Sequence, residues 1–131
     1  MGPEFEWTPE QARAIVATEH TLLAAGAGTG KTTTVVGKIL WHLGLPVGRV
    51  RGRPLPPCPE PCRLDQVVAI TFTEKAAYDL KRKLREELGR ASDGPRRLRE
   101  LERAAIGTIH AFCADLIREH ALRLDVDPGF R

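Results

Sequence analysis

Eight residues, Ala25-Gly26-Ala27-Gly28-Thr29-Gly30-Lys31-Thr32, carry the most legible chemistry in this chain. Three glycines let the backbone fold tightly, so that successive N–H groups point at one anion. A helix starting after them adds its positive end. In such a cradle Lys31 reaches the β- and γ-phosphates and the Thr32 hydroxyl ligates Mg²⁺, which makes these two the catalytic candidates. The strict pattern opens with Gly where this chain has Ala25; that position makes the turn and donates little, so Ala is a tolerable departure. The bland alternative is a glycine-rich turn that binds nothing. A strand before and a helix after are the context the motif requires, and both are readable here.

Those flanks come from hydrophobic patterning. Thr21 to Ala25 is an apolar run suited to a parallel strand covered on both faces. Val35, Val36, Ile39, Leu40 and Leu43 recur at helical spacing, and Gly44 is a natural stop. Trp41 and His42 read as packing and helix-end residues. Upstream, Thr8 suits an N-cap, Pro9 the first helical position and Gln11 the third. Ala12, Ile15 and Val16 share one face of that helix. Gln11 has two readings. It closes a capping box on Thr8, or its amide offers a donor and an acceptor that match adenine N6 and N7. The short distance to the glycine loop favours the base reader. The opening Met1 to Phe5 is given no structural weight.

Gly44 to Leu64 holds six prolines and four arginines without a period, and reads as an irregular surface connection. Cys58 and Cys62 within it are half of a possible zinc site, with no second pair nearby. Asp65 to Phe72 is the second strand. Thr73 caps a helix with Ala76, Ala77, Leu80, Leu84 and Leu88 on its buried stripe, ending at Gly89. Its Lys81, Arg82, Lys83 and Arg85 face is mixed with Glu86 and Glu87 and reads as solvated. Arg96 to Arg103 is a short exposed helix and Ala104 to Ile109 the third strand. His110 to Leu124 is a helix with Cys113, Leu116, Ile117, Ala121 and Leu124 on one face. One helix and three strand–helix units imply an α/β fold with a parallel sheet.

The whole chain bounds these readings. Its 131 residues make one domain at most, and 42% apolar residues support a core. A net charge of +3 suits a phosphate-bearing partner without requiring one. Three cysteines form no even framework, which points to a reducing cytosol. No apolar run is long enough to span a bilayer, so no membrane partner is expected.

Four blocks stand in order: WTPEQARAI, AAGAGTGKT, AITFTEKAAYDLKRKL and GTIHAFC. Together they resemble the N-terminal part of the UvrD/Rep/PcrA-type superfamily 1 DNA helicases, with GTIHAFC and the DPGFR ending closer to the AddA/RecB helicase–nuclease branch. The resemblance implies residues 1–131 of a partial P-loop, RecA-like ATP-binding domain acting on single-stranded DNA in the cytoplasm. It implies Gln11 as the adenine reader, and Ala25 through Thr33 as the ATP and Mg²⁺ loop. Many relatives carry Arg at the position of Thr33, and no contact is assigned to that residue. Thr71, Phe72, Thr73 and Lys75 fall in one strand-holding block, with Gly107, Thr108 and His110 in a second. Phe72 would be a stacking platform, though its residue type alone suggests a core strand position. His110 would donate to a phosphate or stack on a base, or else simply cap its helix. Phe112 and Cys113 read as core.

The resemblance also implies groups outside these residues: an Asp-Glu pair that holds Mg²⁺ and activates water, a second RecA-like domain with arginine fingers, and a nuclease partner. Without them the expectation is ATP binding with no useful turnover. Neighbouring strands of the family's sheet would also lie outside, leaving strand edges unpaired. The competing functions are a P-loop phosphotransferase on a small molecule and a non-catalytic nucleotide-binding module.

Overall fold

The computed structural model describes residues 2–24, 30–125, 127 and 129. Helix α1, Pro9–Val16, starts at Thr8 through a reciprocal capping box. Thr8 Oγ1 accepts from Gln11 N at 3.2 Å, and Gln11 Oε1 accepts from Thr8 N at 3.0 Å. Two orphan N–H groups at the helix start are thereby satisfied. Helix α2, Lys31–His42, ends in a Schellman turn. Gly44 sits at φ 85°, the Gly44 N–H donates to Trp41 O, and the Leu45 N–H donates to Leu40 O.

The opening residues have more structure than their composition suggests. Strand β1, Glu6–Trp7, pairs in parallel with β2, Arg49–Val50, and β2 pairs antiparallel with β3, Arg53–Pro54. Arg51 and Gly52 connect β2 to β3 with φ of 50° and 73°. Positive φ at both central residues is the twist-matched two-residue hairpin turn. The Gly44–Leu64 connection is thus partly ordered into a ladder, and Val47 and Leu64 within it are buried. Trp41 Nε1 donates to Pro56 O at 2.6 Å and Cys62 N to His42 O at 2.7 Å, which holds the proline-rich stretch against α2. Backbone groups that find partners on a neighbouring element need no periodicity to stay ordered.

A turn of 3-10 helix, Leu64–Gln66, takes the first residues of the expected second strand. The strand itself, β4, is Val68–Thr71. It pairs in parallel with β5, Ala105–Thr108, in the register Val68↔Ala105 to Thr71↔Thr108. The crossover between them holds α3, Glu74–Leu88, and α4, Gly94–Glu102. α4 is amphipathic rather than simply exposed, since Leu101 is buried and Leu98 half-buried. One continuous core joins Ile15 of α1, Val36 and Leu40 of α2, Leu80, Leu84 and Leu88 of α3, Leu101 of α4 and Ile106 of β5. Leu84 and Leu88 are fully enclosed. Truncating either to Ala would cost about 2–5 kcal/mol.

Two expectations fail, one about the sheet and one about the last helix. Residues 21–24 form no ladder, and Leu22 is 92% exposed. A strand exists only where a neighbour supplies its hydrogen bonds, and among the described residues none does; Ala25 lies outside them. The sheet of β4 and β5 therefore has two strands, with both outer edges open among the described residues. The last helix is also shorter than its pattern suggests. It divides at His120 into α5, Ile109–Glu119, and α6, Ala121–Leu124. Of its expected buried face, only Ala121 is buried; Cys113, Leu116 and Leu124 are exposed, and Ile117 and Phe112 are half-buried. α5 touches β4, β5 and α6, which leave most of that face uncovered.

Candidate nucleotide and nucleic-acid site

The nucleotide candidates gather at the start of α2. Gly30 is its N-cap with φ 76° and ψ 29°, a left-handed conformation that glycine adopts without strain. Thr34 is buried, and its hydroxyl donates back to Gly30 O at 2.9 Å. That bond pins the first turn of α2 to the loop residue. Lys31 and Thr32 are exposed, and Thr33 is half-buried. The N–H groups of this first turn, the lysine and the hydroxyl suit a magnesium-bound phosphate chain. Ala25, Gly26, Ala27, Gly28 and Thr29 lie outside the described residues.

Gln11 belongs to the same place. A Cβ on Gly30 would stand 3.3 Å from Gln11 Nε2. The capping box engages Oε1 once, leaving that oxygen a second lone pair. The amide therefore caps its helix and still lies against the loop. Two further contacts hold α1 and β1 on α2. Trp7 is buried over Gly37, where an added Cβ would come within 2.7 Å of the indole ring. Trp7 Nε1 donates to Val47 O. Lys38 Nζ donates to the carbonyls of Ala14 and Ala17 at 2.7 Å and of Ile15 at 3.3 Å. Neither the Trp7 packing nor the Lys38 contact is legible from residue spacing. The available signal is Gly37 inside a helical pattern, where glycine is costly unless something packs closely on it.

The strand-holding candidates meet through the β4–β5 ladder. Thr71 and Thr108 are register partners at the C-terminal ends of the two parallel strands. Thr71 Oγ1 lies 3.0 Å from Thr73 O and 3.4 Å from Gly107 O. Each strand then turns into a threonine-capped helix. Thr73 Oγ1 accepts from Ala76 N at 3.1 Å, and Thr108 Oγ1 accepts from Ala111 N at 3.2 Å. Two helix N-termini thus open beside one another at this edge. Phe72 lies past the end of β4, 92% exposed, so it is no core strand residue. Lys75 and His110 are exposed at the starts of α3 and α5. At the far end of α2, burial and then the nearby Lys38 ammonium hold the His42 imidazole below its ordinary value. Among the described residues, no group of three His, Cys, Asp or Glu side chains is placed to hold a metal ion.

A glycine-started helix, parallel strands and helices after each strand define a partial RecA-like α/β fold. The family model for the UvrD/REP helicase N-terminal domain matches residues 7–131, and the chain belongs to that family. An ATP-dependent helicase/nuclease subunit of Anoxybacillus flavithermus is 37% identical over 136 residues, covering 98% of this chain and 10% of that protein. The protein of the same name from Moorella thermoacetica is 38% identical over 134 residues, covering 96% of this chain and 9% of its own length. That from Geobacillus kaustophilus is 38% identical over 133 residues, covering 95% and 10%. The chain spans about a tenth of the length of these curated relatives. No helix among the described residues is long and apolar enough to cross a membrane.

Proposed function

We propose that this chain is the ATP-binding start of an ATP-dependent DNA helicase motor of the helicase–nuclease kind, working on single-stranded DNA in the cytoplasm. The carrying observation is the Thr71↔Thr108 register, which sets Phe72, Lys75 and His110 around two adjacent helix N-termini. Phosphates suit those N–H groups and the lysine, and a base suits the exposed ring of Phe72.

Gln11 reads the adenine edge beside Gly30. Lys31 holds the terminal phosphates, and Thr32 holds the Mg²⁺ that offsets their charge. The water-activating acids and arginine fingers belong to other parts of the motor. A nuclease-bearing subunit is the partner suggested by the relatives' names.

The test is single-strand affinity across a salt series. Binding should weaken steeply with salt, as counterions are released from the phosphates. Phe72→Ala should lose about 1–3 kcal/mol of affinity, the scale of one stacked base. Salt-independent binding, or Phe72→Ala with unchanged affinity, would remove the DNA reading. DNA-stimulated ATP turnover by these 131 residues alone would overturn the division of labour with the other parts.

A further inference from the structure

Helix α1 ends with carbonyl groups that its own hydrogen bonds leave unpaired, at the negative end of the helix. Lys38, from the middle of α2, reaches this end with one ammonium group. Its Nζ donates to Ala14 O and Ala17 O at 2.7 Å and to Ile15 O at 3.3 Å. Three donors meet three carbonyls, so the ammonium is fully used. The site is partly buried, and that burial lowers the lysine's affinity for its proton, with Cys58 opposing the shift. A desolvated ammonium with its donors satisfied fixes geometry more firmly than a solvated one, because moving it leaves a charge without partners.

The other end of α1 carries Gln11, beside Gly30 at the start of α2. The two helices therefore come close where Gln11 stands beside Gly30, and are joined at Lys38. α1 has only eight residues and one full capping box, too little to stand as an independent helix. Its placement depends on tertiary contacts. We propose that Lys38 is a positioning residue for base recognition: by clamping the C-terminal end of α1 to α2, it sets where the Gln11 amide stands relative to the phosphate loop. This rests on Gln11 reading the adenine edge. The clamp ties both base reader and phosphate loop to one rigid helix, so their spacing becomes a property of α2.

Calorimetric titration of the 131-residue chain with ATP and with GTP tests it, using Lys38→Met and Lys38→Arg. Methionine keeps the length and removes every donor; arginine keeps donors and charge. Wild type should prefer ATP. Lys38→Met should lower that preference about tenfold, the discrimination of roughly one good amide–base pair, while GTP affinity stays near wild type. Lys38→Arg should restore the preference. Amide exchange in α1 should quicken in Lys38→Met before any nucleotide is added. If far-UV circular dichroism finds Lys38→Met unfolded, Lys38→Leu, which also has no donor, replaces it with the same expectations. Wild type binding neither nucleotide would sink the base-reading role of Gln11, and this inference with it. Full ATP preference in the folded donor-less variant would sink the clamp alone. Equal losses for both nucleotides, or no rescue by arginine, would leave Lys38 a general stabiliser and overturn the proposal.

Discussion

Gln11 Nε2 stands beside Gly30: a Cβ added to the glycine would lie 3.3 Å from the amide nitrogen. The same amide accepts from Thr8 N–H through its oxygen. One side chain thus serves a helix cap with one atom and faces Gly30 with the other. Gln11→Glu separates the two roles. A glutamate keeps the capping box but has no donor for adenine N7. We expect the melting temperature to move by less than a couple of degrees, while ATP affinity falls about tenfold or more. Gln11→Ala should lose both, with about 0.5–2 kcal/mol of stability gone through the cap. Unchanged nucleotide affinity in Gln11→Glu would leave the residue a cap and nothing more.

Gly37 is required by Trp7. An added methyl would sit 2.7 Å from the indole and 3.2 Å from Ile15 Cδ1. Ala is the better helix former by about 1 kcal/mol, so in an open position Gly37→Ala would stabilise. Here the overpacking cost of about 1–3 kcal/mol should win, because the rigid, enclosed indole has nowhere to go. Chemical denaturation measures the sign directly. A more stable Gly37→Ala would mean that Trp7 is free to move.

Acid should destabilise the fold in two windows. Burial and the Lys38 ammonium depress His42 below 6.5, so the folded state takes up that proton less readily than the unfolded chain. Stability is full above 6.5 and declines as the pH falls below it. Asp93 is held at about 2, from 3.8, by side-chain hydrogen bonds from Arg97 and then Arg96, at 2.8 and 2.6 Å. Its contribution is present above 3.8 and is lost as the pH falls toward 2. Melting curves across pH should lose the first decline in His42→Gln and the second in Asp93→Asn. Both declines surviving in the variants would assign them to other groups.

The open side of β4 should be adhesive. Val68 and Ile70 are 53% and 46% exposed, and with Val35 and Ile39 of α2 they line a groove of about 310 Å³. A strand edge left open among the described residues, beside apolar side chains, invites association. The isolated chain should bind a hydrophobic dye and self-associate with rising concentration. Ile70→Lys should reduce both while circular dichroism stays unchanged. A strictly monomeric wild type that ignores the dye would contradict this.

Local chemistry made much of this fold legible. Thr8 and Thr73 announce helix starts because a hydroxyl satisfies an N–H three residues on, an interaction contained in four residues. Gly44 and Gly89 mark helix ends for a similarly local reason. The β1–β2 pairing joins residues more than forty positions apart, and two-residue strands have no alternation to read. Residues 21–24 have the composition of a strand, but a ladder needs a neighbour, which no local pattern supplies. The pattern of α5 likewise records a face that favours cover without saying which segment covers it. At the site, the blocks holding Phe72 and His110 are readable from residue order alone. Their meeting through Thr71 and Thr108 is a fact of strand register, and the Lys38 clamp a fact of helix packing.

The Thr71↔Thr108 register has a consequence for length variation. Both strand ends are locked to each other, so the turn between Gly89 and Gly94, ahead of the core-packed α4, can lengthen without shifting Phe72 against His110. Insertions in the turn around Ser92 would lengthen an excursion whose two ends are already stitched together, and loop entropy rises only slowly with length. That turn is where this domain can absorb new sequence while the spacing of Phe72 and His110 stays constant.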